Sequence, residues 1–249
     1  MLLALIDTAR NREELAAVMT AVTPELGFRY FALSHHVDLG AERDDAVQLH
    51  NYPERWAAFH ASHALGVSDP VHRASHRTGV GFLWSKMSDL ISLTAQDSRI
   101  LRLGSQHGIA EGFTIPSNIA GEPPGSCSFA NEPGRPAPPE SLLLAQLVGA
   151  HAFERARLLW PRRRQVLPGP PPVLTARQLA CIFWAARGKN DWEIGCILGI
   201  SEETVARHIK DACARYQVNK RILLIGWTLM DGTFTIDQIF GTCHAPFRS

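Results

Sequence analysis

Apolar positions along the first 160 residues alternate between helical and strand spacing. Asn11 is placed to cap a helix that carries Leu15, Val18 and Met19 on one face. Residues 28–33 (Phe-Arg-Tyr-Phe-Ala-Leu) are aromatic-rich and predict a strand, with shorter strands expected over 47–49, 113–116 and 126–130. Helices are predicted over 54–63, 94–107 and 140–159. The last of these sets Leu143, Leu144, Leu147, Ala150 and Phe153 opposite Glu154, Arg155 and Arg157. That apolar face either packs on its own domain or meets a second chain. No internal repeat interrupts the pattern.

From Leu174 the periodicity becomes purely helical. Thr175 and Gln178 fit a capping box, in which each side chain satisfies the other's free amide. The helix runs through Leu179, Ile182, Phe183 and Ala186, and Gly188 is suited to end it at positive φ. Asn190 or Asp191 opens a second helix, Trp192 to Leu198, stopped by Gly199. Ser201 caps a third, with Glu202 and Glu203 in the first turn, where the helix dipole favours negative charge. There Val205, Ile209, Ala212, Cys213 and Tyr216 should face inward, while Ala206, Arg207, Lys210, Asp211 and Arg215 face out. A fourth helix is expected over 221–230.

Charge divides the chain at the same place. Residues 1–160 hold 13 Lys/Arg against 17 Asp/Glu, a net of −4, and residues 161–249 hold 12 against 7, a net of +5. Between the two patterns lies Pro161-Arg-Arg-Arg-Gln-Val-Leu-Pro-Gly-Pro-Pro-Pro172, which cannot continue a helix and reads as a semi-rigid linker. The expected organisation is an acidic domain 1–160, a basic Pro-rich linker 161–173 and a basic helical domain 174–249. A locally basic domain suits a polyanion, although a merely solvated basic surface gives the same arithmetic. With 45% hydrophobic and 20% charged residues the chain has an ordinary globular profile, and no apolar run approaches the ~20 residues of a membrane helix. Five cysteines without a CxxC pair, and an opening stretch that reaches Asp7 too early for a signal peptide, predict reduced thiols and a cytoplasmic location.

Two short helices around a Gly-containing turn, the second with a basic face, form a helix-turn-helix, with an accidental basic face on a three-helix unit as the alternative. A helix fits the major groove, Ala206 permits close approach, and Arg and Lys reach phosphates or guanine edges. The runs Leu174-Thr-Ala-Arg177, Gly188-Lys-Asn-Asp-Trp-Glu-Ile-Gly195, Leu198-Gly-Ile-Ser-Glu-Glu-Thr-Val-Ala-Arg-His208 and Val218-Asn-Lys-Arg221 resemble the LuxR-type DNA-binding domain over about 50 residues. Gln178 departs from it, the family having Glu there. The resemblance assigns DNA contact to Thr204, Ala206, Arg207 and Lys210, with Lys189 and Trp192 near the backbone. Trp192 reads equally as a partly buried core residue.

The acidic domain lacks an acidic pair after an early strand, which disfavours a phosphorelay receiver. Its runs Asn51-Tyr-Pro-Glu-Arg-Trp56, Ser68-Asp-Pro-Val71, Trp84 and His107-Gly-Ile-Ala-Glu-Gly-Phe-Thr-Ile-Pro116 instead resemble the autoinducer-binding domain of quorum-sensing LuxR-type regulators. The resemblance implies an α+β fold: an N-terminal α-β-α sandwich with an antiparallel sheet, followed by a C-terminal all-α four-helix helix-turn-helix domain. It also implies an acyl-homoserine lactone effector without any other cofactor, a homodimer on a pseudo-palindromic double-stranded DNA operator, and contact with RNA polymerase. Asp69 would accept the ligand's amide proton, while Trp56 and Tyr52 would donate to its lactone and amide carbonyls. Trp84 would pack on the ring, Ser128 would contact the head group or chain, and Leu33, Leu49, Val71, Leu101 and Ile109 would line the tail. Core packing is the plain alternative for both tryptophans. His60 stands where the family has a pocket-walling Tyr, and the adjacent Phe59 leaves a one-residue shift open. The turn-rich Gly121-Glu-Pro-Pro-Gly125 precedes the strand of Ser128. A non-lactone ligand or ligand-independent activity stays open.

A metal-dependent enzyme is the reading from another class, prompted by His60-x2-His63 and His72-x3-His76. No HExxH, acidic ligand pattern, GxSxG elbow or phosphate-binding glycine loop accompanies them, so neither a metal site nor an enzyme is expected. Phe234, Ile236, Ile239 and Phe240, in the 231–249 tail, suggest packing on another domain or subunit.

Overall fold

The computed structural model describes residues 2–37, 46–63, 65–119, 122–160 and 171–241. The chain forms two compact units, 1–163 and 164–249. Most of the linker segment, and residues 242–249 of the tail, fall outside the described residues.

The first unit is α+β. Helices α1 (Leu2–Thr8) and α2 (Arg12–Glu25) lead into β1 (Tyr30–His35) and β2 (Gln48–His50), and Asn11 caps α2 by accepting from the Glu14 amide. Three short helices follow, α3 (Glu54–Ser62), α4 (Leu65–Ser68) and α5 (Pro70–Ser75). Then come β3 (Phe82–Leu83), a 3₁₀ turn (Trp84–Asp89), α6 (Ala95–Gln106), β4 (Glu111–Ser117), β5 (Gly125–Asn131) and α7 (Leu142–Leu159). The strands form one antiparallel sheet in the order β2-β1-β5-β4-β3.

All seven residues of β5 are buried, because helices cover both faces of the sheet. Alternation then gives each face its own chemistry. Phe31, Leu33, Phe113, Ile115, Cys127 and Phe129 pack with α1, α2 and α7 in the main core. On the other face Thr114 pairs with Ser128 in register, and Ala130 packs with Trp56 and Ile100.

Helix α7 divides its predicted apolar face, packing Phe153 on its own domain and leaving the leucines out. Ala145, Val148, Gly149, Ala152, Phe153 and Ala156 are buried, whereas Leu143, Leu144 and Leu147 are 83%, 42% and 58% exposed. The small residues win because they let the helix lie close on the sheet. A Cβ at Gly149 would come within 2.8 Å of Ile115 Cδ1. The predicted polar side is also partly buried, since Arg157 Nε donates to Glu122 at 2.5 Å and Arg155 Nε to the Ala9 carbonyl at 2.9 Å.

The second unit follows the sequence reading closely. Helices α8 (Ala176–Ala186), α9 (Asp191–Leu198), α10 (Glu202–Arg215) and α11 (Arg221–Met230) have the expected starts. Thr175 and Gln178 close their capping box, and Gly188 and Gly199 take φ of +82° and +66°. A further short helix, α12 (Ile236–Phe240), was not expected. The tail does not lead away: Phe234 and Ile239 are buried in this unit's own core, and Arg187 donates to the Ile239 and Gly241 carbonyls. Ile236 and Phe240 are exposed.

The buried Asp97 carboxylate ties the cavity-forming helices together. It accepts from the Thr94 amide (2.8 Å) and hydroxyl (2.9 Å) at the start of α6, and from Arg73 Nη1 of α5 (2.7 Å). Burial alone would raise its pKa, but the Thr94 and Arg73 hydrogen bonds outweigh it and hold the carboxyl below its usual range. The charged form is thus favoured in the folded state, so Asp97 stabilises the fold above about pH 4 and that contribution is lost as pH falls through its depressed folded value. Asp97→Asn should lose roughly 1–2 kcal/mol at neutral pH, as charge-assisted hydrogen bonds become neutral ones. The deficit should shrink on acidification, as urea unfolding at several pH values would measure.

Candidate functional site

One cavity lies on the polar face of the sheet, roofed by α3, α5 and α6. It encloses roughly 1110 Å³ of empty space with its open mouth included. Tyr52, Trp56, His60, Asp69, Val71, Trp84, Ser128, Leu33, Leu49, Leu101 and Ile109 all line it. Leu33 and Leu49 are the least committed of these. They pair across β1 and β2 and also pack into the main core, whereas Ala32, Ser34 and His50 occupy the alternate positions.

Aromatic packing builds the walls. Trp56 stacks on Phe59 at 5.7 Å between ring centroids and packs with Ile100, Ile109 and Tyr52. Trp84 lies over Gly112, where an added Cβ would sit 2.4 Å from the indole, so only glycine admits the ring there. The Trp84 indole N–H donates to Thr114 Oγ1 at 2.8 Å, and Thr114 shares a 2.8 Å hydrogen bond with Ser128. Thr114 was missed from the sequence, although its register opposite Ser128 follows once β4 and β5 pair.

The polar groups divide into satisfied and available ones. Asp69 is 7% exposed and caps α5, its Oδ1 accepting from the Val71 amide at 2.7 Å while Oδ2 lies 3.1 Å from His60 Nε2. Burial opposes its charge, yet the His60 hydrogen bond, the nearby His72 and His60, and the Val71 amide leave its pKa below the usual carboxylate value. Asp69 is therefore an anionic acceptor at neutral pH. Burial, then Asp69 and Cys127, push the Tyr52 phenol up, so it keeps its proton. Among the described residues, no hydrogen bond engages the Tyr52 hydroxyl or the Trp56 indole N–H. The cavity thus offers two donors and one anionic acceptor within apolar walls, the usual composition of a small-molecule site.

Histidines crowd the same end. His60 is edge-on to Trp56 and to His72, with centroids 6.0 and 5.7 Å apart. His36 stacks on His72 at 3.9 Å and bonds to His76 (2.9 Å) and Ser126 (2.9 Å). Burial, then the neighbouring His72, His76, His35 and His60, lower the pKa of His36, which is neutral. The local pairs suggested by spacing are not what the fold assembles. His60 meets Asp69 and His72, and His63 is exposed away from them.

In the second unit, α10 buries Val205, Ile209, Ala212 and Cys213 and exposes Ala206, Arg207 and Lys210 along one side. Thr204 is half-buried and shares a hydrogen bond with Ser201. No ion pair with another described residue engages Arg207 or Lys210. Lys189 instead pairs with Glu193 at 2.8 Å. Trp192 is 64% exposed, which removes the core reading for it.

Comparison with known proteins agrees with this geometry. The autoinducer binding domain model matches residues 11–156, and that of bacterial regulatory proteins of the luxR family matches residues 172–228. The chain belongs to the LuxR family. It is 30% identical over 229 residues to the HTH-type transcriptional regulator y4qH of Sinorhizobium fredii, covering 88% of this chain and 68% of that one. Against the transcriptional activator protein AhyR of Aeromonas hydrophila it is 27% identical over 202 residues, 79% of this chain and 76% of that one. Among solved structures, Escherichia coli SdiA has the same fold at 22% identity, with a TM-score of 0.59 over 93% of this chain and 95% of that one. SdiA has also been solved in complex with octanoyl-rac-glycerol, at 21% identity and a TM-score of 0.59 over 93% of each chain.

As a LuxR-family regulator, the chain has relatives that are named as transcriptional regulators and not as enzymes. No helix among the described residues is long and apolar enough to cross a membrane.

Proposed function

We propose that this regulator binds an acyl-homoserine lactone in the cavity of a sensor domain, 1–160, and reads DNA with α10 of a second domain, 174–249, joined to it by the linker 161–173. The observation that carries the reading is the convergence of Tyr52, Trp56 and Asp69 on one largely apolar cavity. An acyl-homoserine lactone has one amide N–H, which suits the Asp69 carboxylate. Its amide and lactone carbonyls suit the Tyr52 hydroxyl and Trp56 indole, its ring suits Trp84, and its chain suits Val71, Leu101 and Ile109. Ser128 would meet a substituent on the chain, and His60 shapes the head-group end by orienting Asp69.

On the output side, Arg207 and Lys210 contact phosphates or base edges, Ala206 and Thr204 lie against the groove, and Lys189 and Trp192 approach the backbone. Exposed Leu143, Leu144 and Leu147 on α7 suit a homodimer contact. Such a dimer places two reading helices on a two-fold site, in the cytoplasm and within reach of RNA polymerase. Selection from random-sequence DNA in the presence of lactone should enrich a pseudo-palindrome with half-sites about one helical turn (~10 bp) apart. Enrichment of a single asymmetric half-site, or none, would overturn the dimeric reading.

A further inference from the structure

The polar end of the cavity sets two imidazoles beside Asp69 that a lactone does not need. His60 of α3, Asp69 at the start of α5 and His72 within α5 each present one ligating atom, and these atoms all lie within 4.8 Å of one another. We propose that His60, Asp69 and His72 bind one divalent transition-metal ion of the zinc type, with a further coordination position open to the cavity.

Tetrahedral zinc with bonds of about 2.0–2.1 Å places its ligands roughly 3.3 Å apart. His60 Nε2 and Asp69 Oδ2 already stand at 3.1 Å. The widest separation exceeds the tetrahedral spacing by no more than about 1.5 Å, a closure that rotation of an imidazole supplies. Two imidazoles with one carboxylate are borderline nitrogen and oxygen donors, which select zinc, cobalt, nickel or copper over magnesium and calcium.

The surroundings hold these ligands as metal sites require. The Val71 amide anchors Asp69 Oδ1 and leaves Oδ2 directed at His60, and His36 stacks on the His72 ring and fixes its plane. Ligation needs neutral imidazoles, and two of them with one carboxylate set one formal negative charge toward a cation. On metal binding, neutral His60 carries its single ring proton on Nδ1, so the Nε2 lone pair and Asp69 Oδ2, now 3.1 Å apart, both turn to the ion. Three protein ligands with one open position are the pattern of an exchangeable site and not of a closed structural one. Since all three residues line the cavity, the group that fits the open position is a carbonyl or carboxylate oxygen of whatever occupies it. This inference rests on the cavity's geometry and shares Asp69 with the lactone reading, so metal binding is measured without lactone.

The test uses untagged full-length protein, stripped with a chelator and titrated with Zn²⁺ by calorimetry and with Co²⁺ by visible absorption, with no lactone present. One ion per chain is expected, with a cobalt spectrum of nitrogen and oxygen ligation. His60→Tyr and His72→Gln should each weaken binding by at least about 10–100-fold, the loss that even outer-sphere changes cause. His63→Gln should bind as wild type does. Absence of saturable zinc binding to the wild-type protein overturns the proposal whether or not a variant folds. So does a thiolate-to-cobalt band, or wild-type affinity in both ligand variants, since either places the ion elsewhere.

Discussion

Replacing Arg207 and Lys210 together with alanine is expected to cost roughly 2–6 kcal/mol of specific DNA binding, from about 1–3 kcal/mol for each lost contact. Both residues lie exposed on the face of α10 opposite Val205, Ile209 and Cys213, so the double variant removes charge without disturbing the core. Their effects should add if they meet separate groups on the DNA. The way the loss varies with salt separates their roles. A residue that neutralises phosphate reduces the salt slope by about one per contact, whereas one that reads a guanine edge relaxes sequence preference at one position. Fluorescence anisotropy on a selected site at several salt concentrations measures both. Unchanged affinity and slope in the double variant would remove α10 from the interface.

The second large effect is expected at Asp69. Asp69→Asn keeps one carbonyl oxygen, which the Val71 amide claims as the cap of α5, and turns an NH₂ donor toward the cavity where an acceptor stood. The amide N–H of a bound acyl-homoserine lactone then faces a donor and is buried unpaired. Losing a hydrogen bond to a charged acceptor, together with that burial, should weaken lactone binding by about 3 kcal/mol, on the order of 100-fold. The cap survives but the charge-assisted contact to His60 becomes neutral, so the melting temperature without ligand should fall modestly, and the two proteins are compared where both are folded. A variant that binds lactone as tightly as wild type would take Asp69 out of recognition.

How much of this was legible beforehand follows the physics of each element. Helices α8 to α11 were readable because their ends are written in local chemistry, such as the Thr175/Gln178 box, the Asn190 and Ser201 caps and the positive-φ glycines. Strands β1, β4 and β5 were found within a few residues from aromatic and β-branched runs. Helices α4 and α5 were missed, being too short to show a period, although Asp69 followed by Pro70 is a cap and first-turn signal in plain view. Sequence left the α7 leucine face between its own domain and a second chain, and could not tell that alanine and glycine pack on the sheet while Leu143, Leu144 and Leu147 stay exposed. In the cavity, the residues suggested by resemblance do converge. Long-range contacts such as Thr114 with Ser128 and His36 with His76 could not be read locally, because pairing between distant elements creates them. The His60–Asp69–His72 trio was hidden in the same way: sequence spacing pointed to His63 and His76 as partners, and the fold turned His60 toward α5 instead.

Thermal unfolding of the purified chain across acyl-homoserine lactones of increasing chain length tests the central claim most directly. A ligand that binds only the folded state stabilises it by about 2.7 kcal/mol at one hundred times its dissociation constant. The account predicts a rise in melting temperature that peaks at one range of chain lengths and is lost in Asp69→Asn. No rise with any lactone, in protein that still binds its selected DNA site, would contradict it.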